Sequence, residues 1–189
     1  MKNIVLAGVG GQGLVLATKI ISEVAFRAGY DVKSNDVIGL SQRGGKVYGT
    51  VRIGKKISSP NIPNGCADIL LGLEPLEAYR WSYILKDGAL ILLNNYKTYP
   101  TPVLMEIAKY PENISEYFSS KYNLIELNAV YEAQKLGNTK VANTFLIGAL
   151  AKHLKDIIGK NIWVEVLSEF VPKKALEENL KAFYIGYNI

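Results

Sequence analysis

Residues 8 to 13 read GVGGQG, placing Gly8, Gly10 and Gly13 in the G-x-G-x-x-G spacing, with Val9, Gly11 and Gln12 between them. An apolar run precedes this stretch and a helical pattern follows it. A turn in that setting brings backbone close to a ligand, and the N–H groups of the next helix favour an anion, phosphate above all. The bland reading of the same residues is a glycine turn that packs the helix tightly on its strand.

Two further stretches hold polar groups where chemistry could occur. LSQRGGKV, residues 40–47, crowds the donors of Ser41, Gln42 and Arg43 beside two glycines. A loop after the second strand of such a sheet lies near the glycine turn, where Arg43 would offer a rigid fork to a phosphate or a carboxylate. An ordinary surface arginine fits equally well. In KVANTFLIGAL, residues 140–150, Asn143 begins an apolar helix and is expected either to cap it or to contact a ligand. Glu74, between a strand and a helix, is explained by helix-start electrostatics.

A nicotinamide enzyme would add a carboxylate at the end of the second strand to hold a ribose. Asp36 has the right separation, but the sequence reads there as a polar SND loop, and no hydride-transfer set follows. Cys66 is the only cysteine and His153 the only histidine. An internal disulfide, a cluster or thiolate zinc site held by this chain alone, and a Ser-His-Asp triad are therefore excluded or starved of ligands. Both residues read as structural.

The net charge is +5 over 189 residues, with lysines far outnumbering the arginines Arg27, Arg43, Arg52 and Arg80. The lysines are scattered rather than striped between aromatics, so a solvated surface is expected, not a nucleic-acid face. No run reaches the ~18 apolar residues of a membrane span. The apolar start runs into glycines instead of a cleavage site, which points to no signal peptide and to the cytoplasm.

These residues need elements to hold them. Residues 3–8 form a buried-strand run, Leu14 to Ala28 follow helical spacing, and Gly29 stops that helix. Tyr30 to Ser34 read as a second strand. Lys46 to Ile53 alternate, with Val47, Gly49, Val51 and Ile53 on one face; lacking a helix before it, this strand is expected to be antiparallel or at an edge. Residues 58–65 form a turn-rich connection. Strands follow at 68–73, 89–93 and 124–127, with a helix opened by Pro75 and an irregular stretch at 96–122. The last third, from Val141 to Tyr187, is helical. The fold expected over 1–189 is a single domain: an open, mainly parallel, Rossmann-like α/β sheet, helices on both faces and a helical C-terminal third.

Taken together, GVGGQGLVLATKI, GLSQRGGKVYGTVRIG, SSPNIPNGCADILLGLEPLEAYRW and DGALILLNN, with NTFLIGAL further on, resemble the gamma-type subunit or domain of the 2-oxoacid:ferredoxin oxidoreductases, most of all its indolepyruvate branch. The resemblance implies a subunit of an enzyme that decarboxylates a 2-oxoacid, with indolepyruvate or another arylpyruvate as substrate. It yields acyl-coenzyme A, carbon dioxide and reduced ferredoxin. It further implies that thiamine diphosphate and 4Fe–4S clusters sit on a larger catalytic subunit, and that this chain helps bind coenzyme A through Gly8, Val9, Gly10, Gly11, Gln12, Gly13, Gln42, Arg43 and Asn143. The residues leave two rivals open, a stand-alone NAD(P)-binding oxidoreductase and a non-catalytic assembly subunit. An isolated chain pairing with itself through exposed apolar surface is also compatible with them.

Overall fold

The computed structural model describes residues 1–38 and 46–189. In chain order the elements are β1 (Lys2–Val9), α1 (Leu14–Arg27), β2 (Asp31–Ile38), β3 (Lys46–Gly54), β4 (Ala67–Gly72), α2 (Pro75–Trp81), β5 (Leu85–Asn94), α3 (Thr101–Leu104), α4 (Ile114–Lys121), β6 (Asn123–Leu127), α5 (Ala129–Lys135), α6 (Ala142–His153), α7 (Lys160–Phe170) and α8 (Leu176–Tyr187). The six strands form one sheet in the order β2-β3-β1-β4-β5-β6. Only β3 runs against the others, pairing antiparallel with both β1 and β2; the remaining pairs are parallel.

Strand alternation splits the core into two layers. Ile4 and Leu6 of β1, Ile69 and Leu71 of β4, and Val47, Val51 and Ile53 of β3 face α1, α6, α7 and α8. Val5 and Ala7 of β1, Leu70 of β4, and Ile91 and Leu93 of β5 face α2 and α4. The expected mainly parallel sheet with helices on both faces is therefore present, as is the alternation read in residues 46–53.

Two expectations need correction here. The second strand does not stop in SND; it continues to Ile38, each residue from Asp31 onward registered against β3. Polar residues are tolerated because β2 is the edge strand of the sheet, so one flank of its backbone and much of its side-chain surface meet solvent. The strand starting at Lys46 is antiparallel as expected, but it lies inside the sheet, between β1 and β2.

The C-terminal helices pack through glycines. Gly148 of α6 lies against the carbonyl of Phe183 in α8, and Gly186 of α8 against that of Phe145 in α6, with no room for a Cβ at either. Beside them the Thr144 hydroxyl donates to Asn179 Oδ1 at 2.5 Å, and Asn179 Nδ2 donates to the Ala175 carbonyl at 2.7 Å. Arg27 at the end of α1 reaches Glu23, Glu165 and Glu169 at 2.7, 2.9 and 2.6 Å, tying α1 to α7.

Candidate functional site

The crossover through α1 leads from β1 toward β2, whereas the one through α2 leads from β4 to β5 on the other side of the sheet. The carboxyl ends of β1 and β4 thus flank the point where strand order reverses, the place where open α/β sheets bind ligands. The glycine turn occupies the β1 side and Glu74 the β4 side.

Conformation and contact explain the glycines. Gly13 is the N-cap of α1 at φ 76°, and a Cβ there would lie 2.8 Å from Asn143 Nδ2. Gly11 has φ 98° and an open flank. Gly8 leaves space for the Gln12 side chain, whose Oε1 would stand 2.7 Å from a Cβ. Gln12 folds back into the turn: its Oε1 accepts from Val9 N at 2.9 Å and its Nε2 donates to the Leu73 carbonyl at 3.4 Å. The turn is thereby stapled to the end of β4.

The start of α1 is capped by the backbone of Gly13 alone among the described residues. No side chain among the described residues caps it, and its first turn holds no acid. The helix opens with the bond from Ala17 N to the Gly13 carbonyl at 3.0 Å, so the amides preceding Ala17 have no partner within the helix. With the helix dipole behind them, those donors suit an anion.

Asn143 reaches the same place from the far end of the chain. Its Nδ2 donates to the Gly13 carbonyl at 2.7 Å, joining the starts of α6 and α1. The capping role expected of it is not what the structure shows: the N-cap of α6 is Val141, no side chain caps that helix, and Asn143 lies one turn position inside it. Its Oδ1 is buried without a partner among the described residues. Gln42 and Arg43 lie outside the described residues. The other three arginines hold structure: Arg27 on α7, Arg80 on Glu77, and Arg52 on the Ser59 and Asn61 carbonyls at 3.0 and 2.9 Å.

On the β4 side Glu74 is fully buried and satisfied. Its Oε2 accepts from Glu77 N at 2.8 Å, capping α2, while its Oε1 accepts from the Tyr110 hydroxyl at 2.6 Å and from Thr98 N at 3.3 Å. Burial, and then the bond to Glu74, hold the Tyr110 phenol far above its usual range, so it stays a donor. Glu74 is thus a structural hub that pins the stretch after β5. The sequence signal for it was the Glu-Pro pair opening a helix; the pairing with Tyr110 had none.

The insertion of β3 moves Asp36 away from β1. In the dinucleotide fold the ribose carboxylate ends the strand beside β1. Here Asp36 is on β2, two strand spacings from β1, about 10 Å. It pairs across to Gly49, lies beside Thr18 of α1, and has a buried Oδ1 without a hydrogen bond of normal geometry among the described residues. Burial raises its pKa, against the smaller pull of Thr18 and Lys19.

Sequence reasoning overlooked a cavity of about 130 Å³ at the carboxyl ends of β5 and β6, lined by Asn94, Asn95, Tyr96, Asn128, Tyr131 and Gln134 among others. Asn94 is its fixed floor: Nδ2 donates to the Leu73 carbonyl at 3.1 Å and Oδ1 accepts from Ala129 N at 3.2 Å. A groove of about 320 Å³ lies between α1, β2 and the end of α7, away from the glycine turn. Among the described residues no group of acidic, histidine or cysteine side chains could hold a metal ion, and no helix is long and apolar enough to cross a membrane. Cys66 is exposed, and His153 is exposed with its pKa lowered by partial burial and by Lys152 and Lys155.

Comparison with known proteins bears on this arrangement. The family described as pyruvate ferredoxin/flavodoxin oxidoreductase matches residues 3–189. Proteins named indolepyruvate oxidoreductase subunit IorB are similar throughout: that of Archaeoglobus fulgidus is 38% identical over 98% of this chain and 94% of its own, and that of Thermococcus kodakarensis 36% identical over 97% and 93%. Among solved structures, the keto/oxoacid ferredoxin oxidoreductase gamma subunit of Geobacter sulfurreducens superposes with a TM-score of 0.73 at 26% identity, covering 100% of this chain and 97% of that one. A 2-oxoglutarate:ferredoxin oxidoreductase of Magnetococcus marinus, solved with 2-oxoglutarate, coenzyme A and succinyl-CoA, shares the fold at a TM-score of 0.76 and 22% identity, over 99% of this chain and 30% of that one.

Proposed function

Because the chain belongs to the pyruvate ferredoxin/flavodoxin oxidoreductase family, we propose that it is the small, cluster-free subunit of a 2-oxoacid:ferredoxin oxidoreductase and that its glycine turn binds the diphosphate of coenzyme A. The observation that carries this reading is the acid-free start of α1 behind Gly8 to Gly13, capped by no side chain among the described residues, at the point where strand order reverses and with Asp36 two strands away from β1. A diphosphate matches those free donors. Gly10 and Gly11 give it backbone access, Gln12 and Asn143 hold the turn in shape, and Gln42 and Arg43 follow the strand whose end lies along the same sheet edge.

In the overall reaction the bond between the carboxylate and the 2-oxo carbon breaks and carbon dioxide leaves. A carbon–sulfur bond forms to coenzyme A, the thiol proton is released, and two electrons pass to ferredoxin. Thiamine diphosphate on the larger subunit supplies the carbanion chemistry, and 4Fe–4S clusters there carry the electrons. One exposed cysteine cannot supply the thiolates of a cluster, which agrees with that division. This chain's own work is positional: anchoring the diphosphate orients the thiol toward the partner's reacting carbon. Leu104, Met105 and Ile107, 63 to 74% exposed, leave apolar surface of the kind a subunit keeps for an assembly.

The substrate is taken to be an arylpyruvate, supported by the similarity to the indolepyruvate oxidoreductase subunits. The test is co-purification with the larger subunit, then ferredoxin reduction on indolepyruvate, pyruvate and 2-oxoglutarate with and without coenzyme A. Coenzyme A-dependent reduction fastest on indolepyruvate is expected. Equal rates without coenzyme A would remove the role given to the turn.

A further inference from the structure

The groove between α1, β2 and the end of α7 measures about 320 Å³, within the ~300–1,000 Å³ of sites that take small molecules. Helical spacing sets Lys19, Ser22, Glu23 and Phe26 of α1 on one face, and strand alternation brings Val32 and Ser34 of β2 into the same lining. Phe170, at the end of α7, completes it. Asp36 lies beside Thr18, so β2 runs back along α1, placing Ser34 toward Ser22 and Val32 toward Phe26. The groove therefore has a polar end at Lys19, Ser22 and Ser34 and an apolar end at Phe26, Val32 and Phe170. Phe26 is 68% exposed on a helix whose opposite face is buried. Neither Phe26 nor Phe170 stacks on another ring among the described residues, which leaves two aromatic faces for a third ring.

The polar end holds donors that the fold does not use. Ser22 Oγ is buried without a hydrogen-bond partner among the described residues, a cost that a ligand's acceptor would remove. Ser34 is exposed, and its hydroxyl makes no hydrogen bond among the described residues. Lys19 is exposed and joins no ion pair among them; Asp36 feels its charge only as a minor pull. The opposite end carries an excess of acid, because Glu23, Glu165 and Glu169 share the single guanidinium of Arg27. That imbalance sets an orientation. An anion near Arg27 meets the acids, whereas one at the Lys19 end meets a cation and two hydroxyls. Lys19 and Phe26 are about 10 Å apart along α1, room for a ring with a short acid chain.

We propose that this groove binds a small aromatic carboxylate, with its ring among Phe26, Val32 and Phe170 and its carboxylate on Lys19 and the hydroxyls of Ser22 and Ser34. The site stands apart from the glycine turn: Ser22 lies nine residues beyond Gly13, about 14 Å along α1. It rests on the lining of the groove alone, so it holds or fails independently of the assignment of coenzyme A to the turn.

The test is a ligand-observed NMR titration of the full chain with phenylacetate and 3-phenylpropionate, set against phenylacetamide, acetate and 2-phenylethylamine. Saturable binding of the two aromatic acids is expected at millimolar concentration or below, with the amide, acetate and the amine each weaker by about tenfold or more. Lys19→Met and Phe26→Ala change exposed side chains, so the thermal midpoint holds while affinity for phenylacetate falls about tenfold in each. Ser22→Ala separates a binding role from a structural one. It weakens phenylacetate yet leaves the unliganded chain at least as stable, because the hydroxyl it removes has no partner among the described residues. Phenylacetamide binding as well as phenylacetate overturns the proposal. So does the absence of saturable binding, or an affinity that neither Lys19→Met nor Phe26→Ala moves. Two other occupants would also overturn it. A peptide ending in phenylalanine that binds far tighter than phenylacetate marks a docking site for a partner's C-terminus. Self-association in light scattering that Phe26→Ala abolishes marks a contact between two copies of the chain.

Discussion

The amide nitrogen of Asn143 donates to the carbonyl of Gly13 at 2.7 Å across 130 residues of sequence, and this bond joins the starts of two helices at the carboxyl edge of the sheet. It makes the conformation of the glycine turn depend on the C-terminal helices. Asn143→Asp separates this bond from helix electrostatics. A carboxylate near the start of α6 is favoured by about 0.3–1 kcal/mol from the helix dipole alone. It cannot donate to a carbonyl, however, and sets two acceptors face to face. Asp at 143 is therefore expected to destabilise more than Ala does, by urea denaturation; a more stable Asp variant would show that the Gly13 bond contributes little.

Gly13→Ala meets both a positive φ and the Asn143 side chain. The left-handed backbone costs a Cβ-bearing residue about 1–2 kcal/mol, and displacing Asn143 adds to that. In a double-mutant cycle the cost of Gly13→Ala is expected to be smaller in an Asn143→Ala background. Strict additivity would mean the two residues do not meet as described.

Gly148→Ala and Gly186→Ala should behave against helix propensity. In an exposed helix, glycine to alanine stabilises by about 1 kcal/mol. In this fold each added methyl would strike a backbone carbonyl of the facing helix, so α6 and α8 must separate. The expected result is a loss of about 1–3 kcal/mol or more in chemical denaturation for either variant.

The two acids of β2 should titrate with opposite sign. Asp31 accepts from Ile57 N at 2.6 Å and pairs with Lys33, which lowers its pKa. Its contribution is present above its unfolded pKa and disappears as pH falls through the folded one. Asp31→Asn thus destabilises at pH 7 and loses its effect in acid. Burial raises the pKa of Asp36, so its contribution is present below the unfolded pKa and is lost as pH rises through the folded one. Asp36→Asn thus stabilises at pH 7 and converges with the wild type in acid. Thermal midpoints of both variants across the acid range check the signs.

The local elements were legible because they rest on local rules. The strand, glycine turn and helix at the start, and the alternation of Val47, Gly49, Val51 and Ile53, follow from side-chain period and from glycine at positive φ. The strand order was not. Nothing in residues 46–53 states that β3 inserts between β1 and β2, yet that insertion is what separates Asp36 from the turn. The seven-residue α5 is too short to leave a period, and the NN pair read only as the end of a strand, although Asn94 bridges the end of β4 to α5. Asn143 was legible as a residue of interest, but its partner was not, because a contact over such a separation leaves no local trace.

The most direct test of the central claim is calorimetric titration of the complex formed with the larger subunit, using coenzyme A and NADH in parallel, with wild type and Gly13→Ala. Coenzyme A is expected to bind the wild type, with affinity reduced at least tenfold by Gly13→Ala, while NADH gives no saturable heat in either. Binding of NADH tighter than coenzyme A, or coenzyme A affinity indifferent to Gly13→Ala, would contradict the account.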